Sequence, residues 1–144
     1  MRFFDRKAEL EEIGVLDKKK PSFLVITGRR RVGKTELILH FLSKKSNTFY
    51  FFVDDKKNEP LLVKEYLEAL RHFNLPAFAK DITTIDSFLA LLFELAKNQD
   101  MIVAFDEFQR FLKINPSAIN QFQKIWDTNK GRIFLLISGS SIGM

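Results

Sequence analysis

Residues 28–35 read Gly28-Arg-Arg-Arg-Val-Gly-Lys-Thr35 and fit the pattern G-x-x-x-x-G-K-[ST] at every fixed position. Each fixed position answers a physical demand. A polyphosphate needs backbone N–H groups converging on its oxygens, so the loop must wrap tightly, and Gly28 and Gly33 permit that close approach. A helix starting next would aim its unpaired N–H groups and positive dipole end at the anion. Lys34 brings a point charge to the β- and γ-phosphates, and Thr35 offers a hydroxyl to Mg²⁺. A chance match in a chain of this length is on the order of half a per cent. The expected nucleotide cradle is therefore Gly28, Arg29, Arg30, Arg31, Val32, Gly33, Lys34, Thr35 and Glu36. The three arginines fill variable positions. They read either as a solvated loop edge or as electrostatic steering of an anion.

The flanks of this loop have the required shape. Ser22 to Thr27 (SFLVIT) is a continuous apolar run of strand length, the pattern of a strand buried on both faces. Leu37, Ile38, Phe41 and Leu42 stripe a predicted helix over roughly 34–45. The same alternation runs through the rest of the chain. A helix is predicted over 5–17, followed by Lys18 to Lys20, which read as a solvated helix end, and by the breaker Pro21. Thr48 to Val53 (TFYFFV) is aromatic and β-branched, hence a strand. Pro60 suits the first turn of a helix carrying Leu62, Val63, Tyr66, Leu67 and Leu70. After a loop around 74–80, a helix is expected over 84–98, then a strand at Met101 to Phe105 (MIVAF). Asn115 and Pro116 start another helix, which Asn129 and Gly131 stop, and Ile133 to Ser138 (IFLLIS) is the fourth strand. Strands separated by helices imply crossover connections and a mainly parallel sheet, so residues 1–144 read as one α/β unit. Met144 follows the last strand by a few residues with no covering helix, as expected of a piece of a longer protein.

Composition narrows the function classes. With 46% hydrophobic residues in 144, the chain can bury a core and intrinsic disorder is excluded. The absence of cysteine removes disulfide frameworks, zinc ribbons and thiol catalysis together, and His40 and His72 leave little for an imidazole metal site. A net charge of +5 favours anionic partners without choosing among them. The phenylalanines fall mostly on predicted buried faces, which argues against a nucleic-acid stacking platform. Phe88 to Ala96 is interrupted by Glu94 and too short to span a bilayer, and the acidic N-terminus is unlike a secretory signal. No membrane association is expected, and a cytoplasmic location is the default.

A second motif follows the strand MIVAF. Asp106-Glu107 leaves the carboxyl end of its strand, as the phosphate loop leaves the carboxyl end of another, so both should face one crevice. Asp106 would hold Mg²⁺ through water, the Walker-B role, and Glu107 would orient and polarise an attacking water. The competing reading is that Asp106 only caps a short helix, FQRFL. Guanine selectivity is disfavoured, because Asn129-Lys130 is followed by Arg132 where N-K-x-D needs an acid. ATP is the expected nucleotide and Mg²⁺ the expected cation.

Four blocks then carry a family resemblance: FDRKAEL at 4–10, Gly28 to Thr35, IVAFDEFQ at 102–109 and LLISGSSI at 135–142. Together they resemble the archaeal-type ATPase family, a prokaryotic branch of the AAA-plus and STAND-like P-loop ATPases. The resemblance implies a three-layer P-loop fold of the ASCE type with strand order 1-4-3-2, cut before a fifth strand and lid. It implies that Ser140 or Ser141 takes the sensor-1 role beside Lys34 and Glu107 in catalysis. The residues themselves support only a hydroxyl at the carboxyl end of a central strand, and a turn serine is the alternative. The opening block would pass near the adenine, with Arg6, Phe3 and Phe4 as walls. The family also carries lid and C-terminal domains, and no arginine finger can be assigned in this chain. Two functions stay open: an ATP-hydrolysing core driving conformational change in other domains, and a nucleotide-dependent switch or DNA-associated module with little turnover. Self-association through the nucleotide site, and DNA association through other domains, are the expected macromolecular partnerships.

Overall fold

The computed structural model describes residues 7–27, 33–128 and 131–139. Among them β1 (Ser22–Thr27), β2 (Thr48–Phe52), β3 (Met101–Asp106) and β4 (Ile133–Gly139) form a parallel sheet ordered β1-β4-β3-β2. This is the expected 1-4-3-2 order. The two central strands, β3 and β4, are buried along their whole length, which is why their sequences are uninterrupted apolar runs. β1 departs from its expectation. It is an edge strand among the described residues, with Val25 40% exposed, because only β4 pairs with it there.

Strand alternation sorts the side chains into two layers. Leu24, Ile26, Tyr50, Ile102, Ala104, Phe134 and Leu136 face α1 (Lys7–Asp17) and α2 (Lys34–Leu42), packing against Ile13, Leu37, Ile38, Phe41 and Leu42. Phe51, Val103, Phe105, Leu135 and Ile137 face the opposite layer. That layer holds α3 (Glu59–Ala69), α4 (Ile85–Leu95), α5 (Phe111–Ile114) and α6 (Ala118–Thr128). Phe105 sits at its centre, with ring centroids of Phe51, Phe111 and Phe108 at 5.3, 5.6 and 6.2 Å. Phe108 and Phe111 are fully buried. The segment after Asp106 is therefore anchored by two aromatic rings rather than left as a free loop.

Local chemistry sets the helix ends. Asn58 caps α3 by accepting from the Leu61 N–H at 2.9 Å, with Pro60 in the first turn, and Thr84 caps α4. α2 stops at Leu42 rather than at residue 45, because the Lys44 and Lys45 N–H groups bond to Phe41 and Leu42 in tighter turns. α6 begins at Ala118 rather than at Asn115, whose side-chain oxygen accepts from the Ser117 N–H and hydroxyl and holds a turn. Asn115 also donates to Glu59 at 2.7 Å, and the same carboxylate oxygen accepts from the Ile85 N–H at 2.8 Å. One side chain thus ties α3 to the start of α4 and the end of α5. Lys20 is not solvated as expected: it folds back onto the Asp17 carboxylate and carbonyl, and Lys45 lies 3.3 Å from the same carboxylate.

Gly131 is required by closeness. A Cβ there would lie 2.9 Å from the Ala96 carbonyl carbon and 3.0 Å from its oxygen, against backbone that cannot rotate away. The neighbouring Arg132 N–H bonds that same oxygen at 2.8 Å, fixing how β4 enters beside the end of α4. Gly131→Ala is expected to cost about 1–3 kcal/mol through this overpacking, read as a lower urea midpoint at unchanged slope. An unchanged midpoint would show that α4 yields freely.

Candidate functional site

Of the motif at 28–35, Gly33, Lys34 and Thr35 are described, and α2 begins at Lys34. Gly33 stands at the N-cap with φ 78° and ψ 24°, a left-handed conformation that side chains disfavour, and its carbonyl accepts the Leu37 N–H at 2.9 Å. Lys34 opens the helix and is largely buried, whereas Thr35 and Glu36 lie on its exposed side. Gly28, Arg29, Arg30, Arg31 and Val32 lie outside the described residues, as do Phe3, Phe4, Arg6, Ser140 and Ser141.

Asp106 ends β3 on the same sheet face as Ala104 and Ile102, beneath α2. Its side chain is 2% exposed and gathers hydrogen bonds from three elements. The Thr35 hydroxyl donates to Oδ2 at 2.6 Å and the Tyr50 hydroxyl to the same oxygen at 2.5 Å. The Ser138 hydroxyl donates to Oδ1 at 2.6 Å, and the Glu107 N–H adds a backbone donor. Burial alone would raise this carboxyl's pKa. The Ser138, Thr35, Tyr50 and Glu107 donors outweigh it and hold the group below its ordinary value, so Asp106 is a carboxylate at neutral pH. Burial, reinforced by the bond to Asp106 and by its charge, pushes the Tyr50 phenol well above its ordinary value, which keeps it a donor.

These contacts decide against the helix-capping reading of Asp106. A short 3₁₀ turn does form at Phe108–Arg110, running into α5, but its N-cap residue is Glu107 and no side chain caps it. Glu107 itself adopts φ 61° and ψ 44°, a left-handed backbone costing about 1–3 kcal/mol for a side chain of this kind. Its carboxylate lies 3.3 Å from the Arg110 guanidinium and accepts from the Gln109 amide at 3.3 Å. Arg110 is held in turn by the Val53 carbonyl at 3.4 Å and by the Phe52 ring, 5.3 Å from its centroid. The Gln109 oxygen is buried without a partner.

The structure thus brings Thr35 and Asp106 into contact across 71 residues of chain, with Glu107 adjoining. Tyr50, Ser138 and Arg110 were not foreseen. Two of them were within reach: Ser138 ends an otherwise apolar run and pairs in register with Asp106, and Tyr50 shares the parity that puts Asp106 and Ala104 on one face. Arg110 carried no such periodic signal. For a divalent cation, the donor chemistry fits Mg²⁺. One hydroxyl and one carboxylate are hard oxygen ligands that leave most positions to water and phosphate, and no cluster of three or more His, Asp or Glu forms an all-protein cage among the described residues.

The family model described as an ATPase domain predominantly from Archaea matches residues 3–144. The chain belongs to that family. Its ATPase domain is 31% identical over 147 residues to the uncharacterized protein MJECL04 of Methanocaldococcus jannaschii, covering 99% of this chain and 30% of that protein. A second M. jannaschii protein, MJ0424, is 38% identical over 63 residues, 42% of this chain and 60% of its own length. Among solved structures, the Walker-type ATPase PABY2304 of Pyrococcus abyssi superimposes with a TM-score of 0.64 at 20% identity, over 95% of this chain and 45% of that one. The Aeropyrum pernix ORC2 protein, solved in ADPNP–ADP complexes, gives 0.65 at 18% identity over 95% of this chain and 41% of that one. CDC6P of Pyrobaculum aerophilum gives 0.62 at 19% identity over 97% and 40%. These three share the fold, a P-loop ATPase sheet in the same strand order. The chain spans less than a third of MJECL04 and less than half of each structure. Family membership supports nucleotide binding. No helix among the described residues is long and apolar enough to cross a membrane.

The donors around Asp106 set an acid limit on the fold. A carboxyl whose folded pKa is depressed contributes stability above its unfolded value, near 3.8, and loses that contribution as pH falls through the lower folded value. The stability difference between the wild type and Asp106→Asn is expected to be largest at neutral pH and to shrink below pH 3.8. Urea titrations across that range check it; a difference independent of pH would mean that Asp106 is not held ionised.

Proposed function

We propose that this domain binds ATP with Mg²⁺ and hydrolyses it, coupling the cycle to conformational change in other parts of a longer protein. The observation that carries the reading is the direct bond between Thr35, on the helix that follows the phosphate loop, and Asp106 at the end of β3. In this reading the loop backbone from Gly28 to Gly33 cradles the phosphates, and Lys34 neutralises the β- and γ-oxygens. Glu36 lies beside the cradle in the first turn of α2. Thr35 and Asp106 hold the cation, Thr35 directly and Asp106 through the cation's water. When bound there, the cation would supply positive charge to offset what develops on the phosphate oxygens. Glu107 orients a water for attack on the γ-phosphorus and takes its proton as the bond to the ADP oxygen breaks. Ser140 reports on the γ-phosphate, and Arg6 flanks the base.

One feature favours the slower alternative, a nucleotide-dependent switch. The Glu107 carboxylate is tied to Arg110 and Gln109, so it must leave a cation to act as a base. A chain that holds its general base in this way binds nucleotide readily and turns it over only after rearrangement. The cytoplasm is the proposed location; a second copy would associate through the nucleotide site, and DNA through other domains of a longer protein.

The test is a titration of the full chain with ATP and with GTP, each with Mg²⁺, followed by phosphate release in the same samples. Selective binding of ATP is expected, and Lys34→Ala should abolish most of it while circular dichroism stays unchanged. Equal binding by that variant would remove Lys34 from the site. For Glu107→Gln, ATP affinity is expected to stay close to wild type while phosphate release is lost. Unchanged release would assign the water-activating role elsewhere.

A further inference from the structure

We propose that Tyr50 is a positioning residue for the cation site, fixing the Asp106 carboxylate that holds the Thr35 hydroxyl with its oxygen turned toward the cation. The inference rests on the Mg²⁺–nucleotide reading above. It begins with the number of bonds an aspartate can accept. A carboxylate offers about four lone-pair positions, and four protein donors reach Asp106: the Thr35, Tyr50 and Ser138 hydroxyls and the Glu107 N–H.

Three of these donors follow from features that the site needs for other reasons. Thr35 belongs to the phosphate-loop motif, Ser138 sits opposite Asp106 in the β3–β4 register, and the Glu107 N–H is the next link of the chain. Tyr50 follows from none of them. It lies on β2 opposite Ala104, one pleat short of Phe52, which is the register partner of Asp106. The methyl side chain of Ala104 leaves the tyrosine ring free to lean along the sheet face toward the carboxyl end. The ring packs against the α1–α2 core, so the hydroxyl is presented from a fixed base rather than from a mobile side chain.

The hydroxyl also stands in a particular place. Tyr50 and Thr35 donate to the same oxygen, Oδ2. Thr35 has one proton and free lone pairs, so it can keep its bond to Asp106 while its oxygen turns to a cation. Tyr50 therefore steadies the carboxylate, and through it the Thr35 hydroxyl that would touch the cation. Outer-shell partners of this kind commonly change metal affinity by 10–100-fold.

The test is Tyr50→Phe in the full chain, which keeps the ring and removes only the hydroxyl. ATP binding is measured at rising Mg²⁺ and again in EDTA, with Mn²⁺ bound in the presence of ADP followed by electron paramagnetic resonance. The Mg²⁺ concentration at half-maximal ATP binding is expected to rise on the order of tenfold, while nucleotide affinity in EDTA and the circular dichroism spectrum stay at wild-type values. The Mn²⁺ signal should weaken in parallel. An unchanged Mg²⁺ midpoint overturns the proposal. Equal losses with and without Mg²⁺ overturn it too, since they would mark a merely structural hydroxyl, and a lower midpoint would make Tyr50 a competitor of the cation. If wild-type protein binds ATP equally well in Mg²⁺ and in EDTA, the Mg²⁺–nucleotide reading fails and takes this proposal with it.

Discussion

A buried carboxylate has to be solvated by the protein itself, and Asp106 is the point around which the functional end of this domain is organised. At 2% exposure it could remain charged only with donors on every side. They come from β2, β4, the start of α2 and the next residue of its own chain. Any shift of one of these elements by a fraction of a hydrogen-bond length would strand a charge in the interior. The carboxylate therefore fixes the mutual registry of α2 and three strands at the carboxyl end of the sheet. A buried polar network of this kind rigidifies when every partner is present.

The surrounding packing supports that demand. Phe105, one residue before Asp106, is wedged among Phe51, Phe108 and Phe111, so the strand cannot slide along its neighbours without breaking aromatic contacts. Phe108 and Phe111 then pin the chain beyond Glu107, which holds a left-handed backbone that an unsupported glutamate would abandon. Strain at Glu107 and strain-free left-handedness at Gly33 stand at the starts of two segments leaving the carboxyl end of the sheet. One turn delivers a helix N-terminus and the other a carboxylate. Arg110 joins the second turn to β2 through the Val53 carbonyl and the Phe52 ring, so the position of the proposed base depends on the edge strand as well.

Much of this was legible in the chain because it rests on patterns of short range. The continuous apolar runs at 22–27, 101–105 and 133–138 specify strands, the last two buried on both faces and the first left partly exposed at the edge among the described residues, and the stripes at 37–42 and 85–95 specify helices against them. Element ends were less legible. Asn115 looked like a helix start because asparagine caps helices, yet its side chain holds a turn with Ser117 and bonds to Glu59, a partner 56 residues away. Lys20 looked solvated because lysine usually is, yet Asp17, itself largely buried, gathers it in. In each case the deciding partner was a side chain whose orientation the linear pattern does not carry.

The sequence by itself determined the class of sheet, its strand order through a family resemblance, the G-x-x-x-x-G-K-T motif and the adjacency of Asp106 and Glu107 at a strand end. These depend on periodicity, on glycine's freedom and on the fixed spacing of a motif, all of which are local. Only the tertiary structure decided which hydroxyls serve Asp106. Ser138 and Tyr50 are 32 and 56 residues from it in the chain, and they meet it because parallel register and strand parity put them on one face at one end of the sheet. It also decided that Glu107 is held by Arg110, since that contact requires the left-handed turn that brings the two side chains together. Proximity in three dimensions is set by register and by backbone handedness, and neither is written in the order of residue types alone.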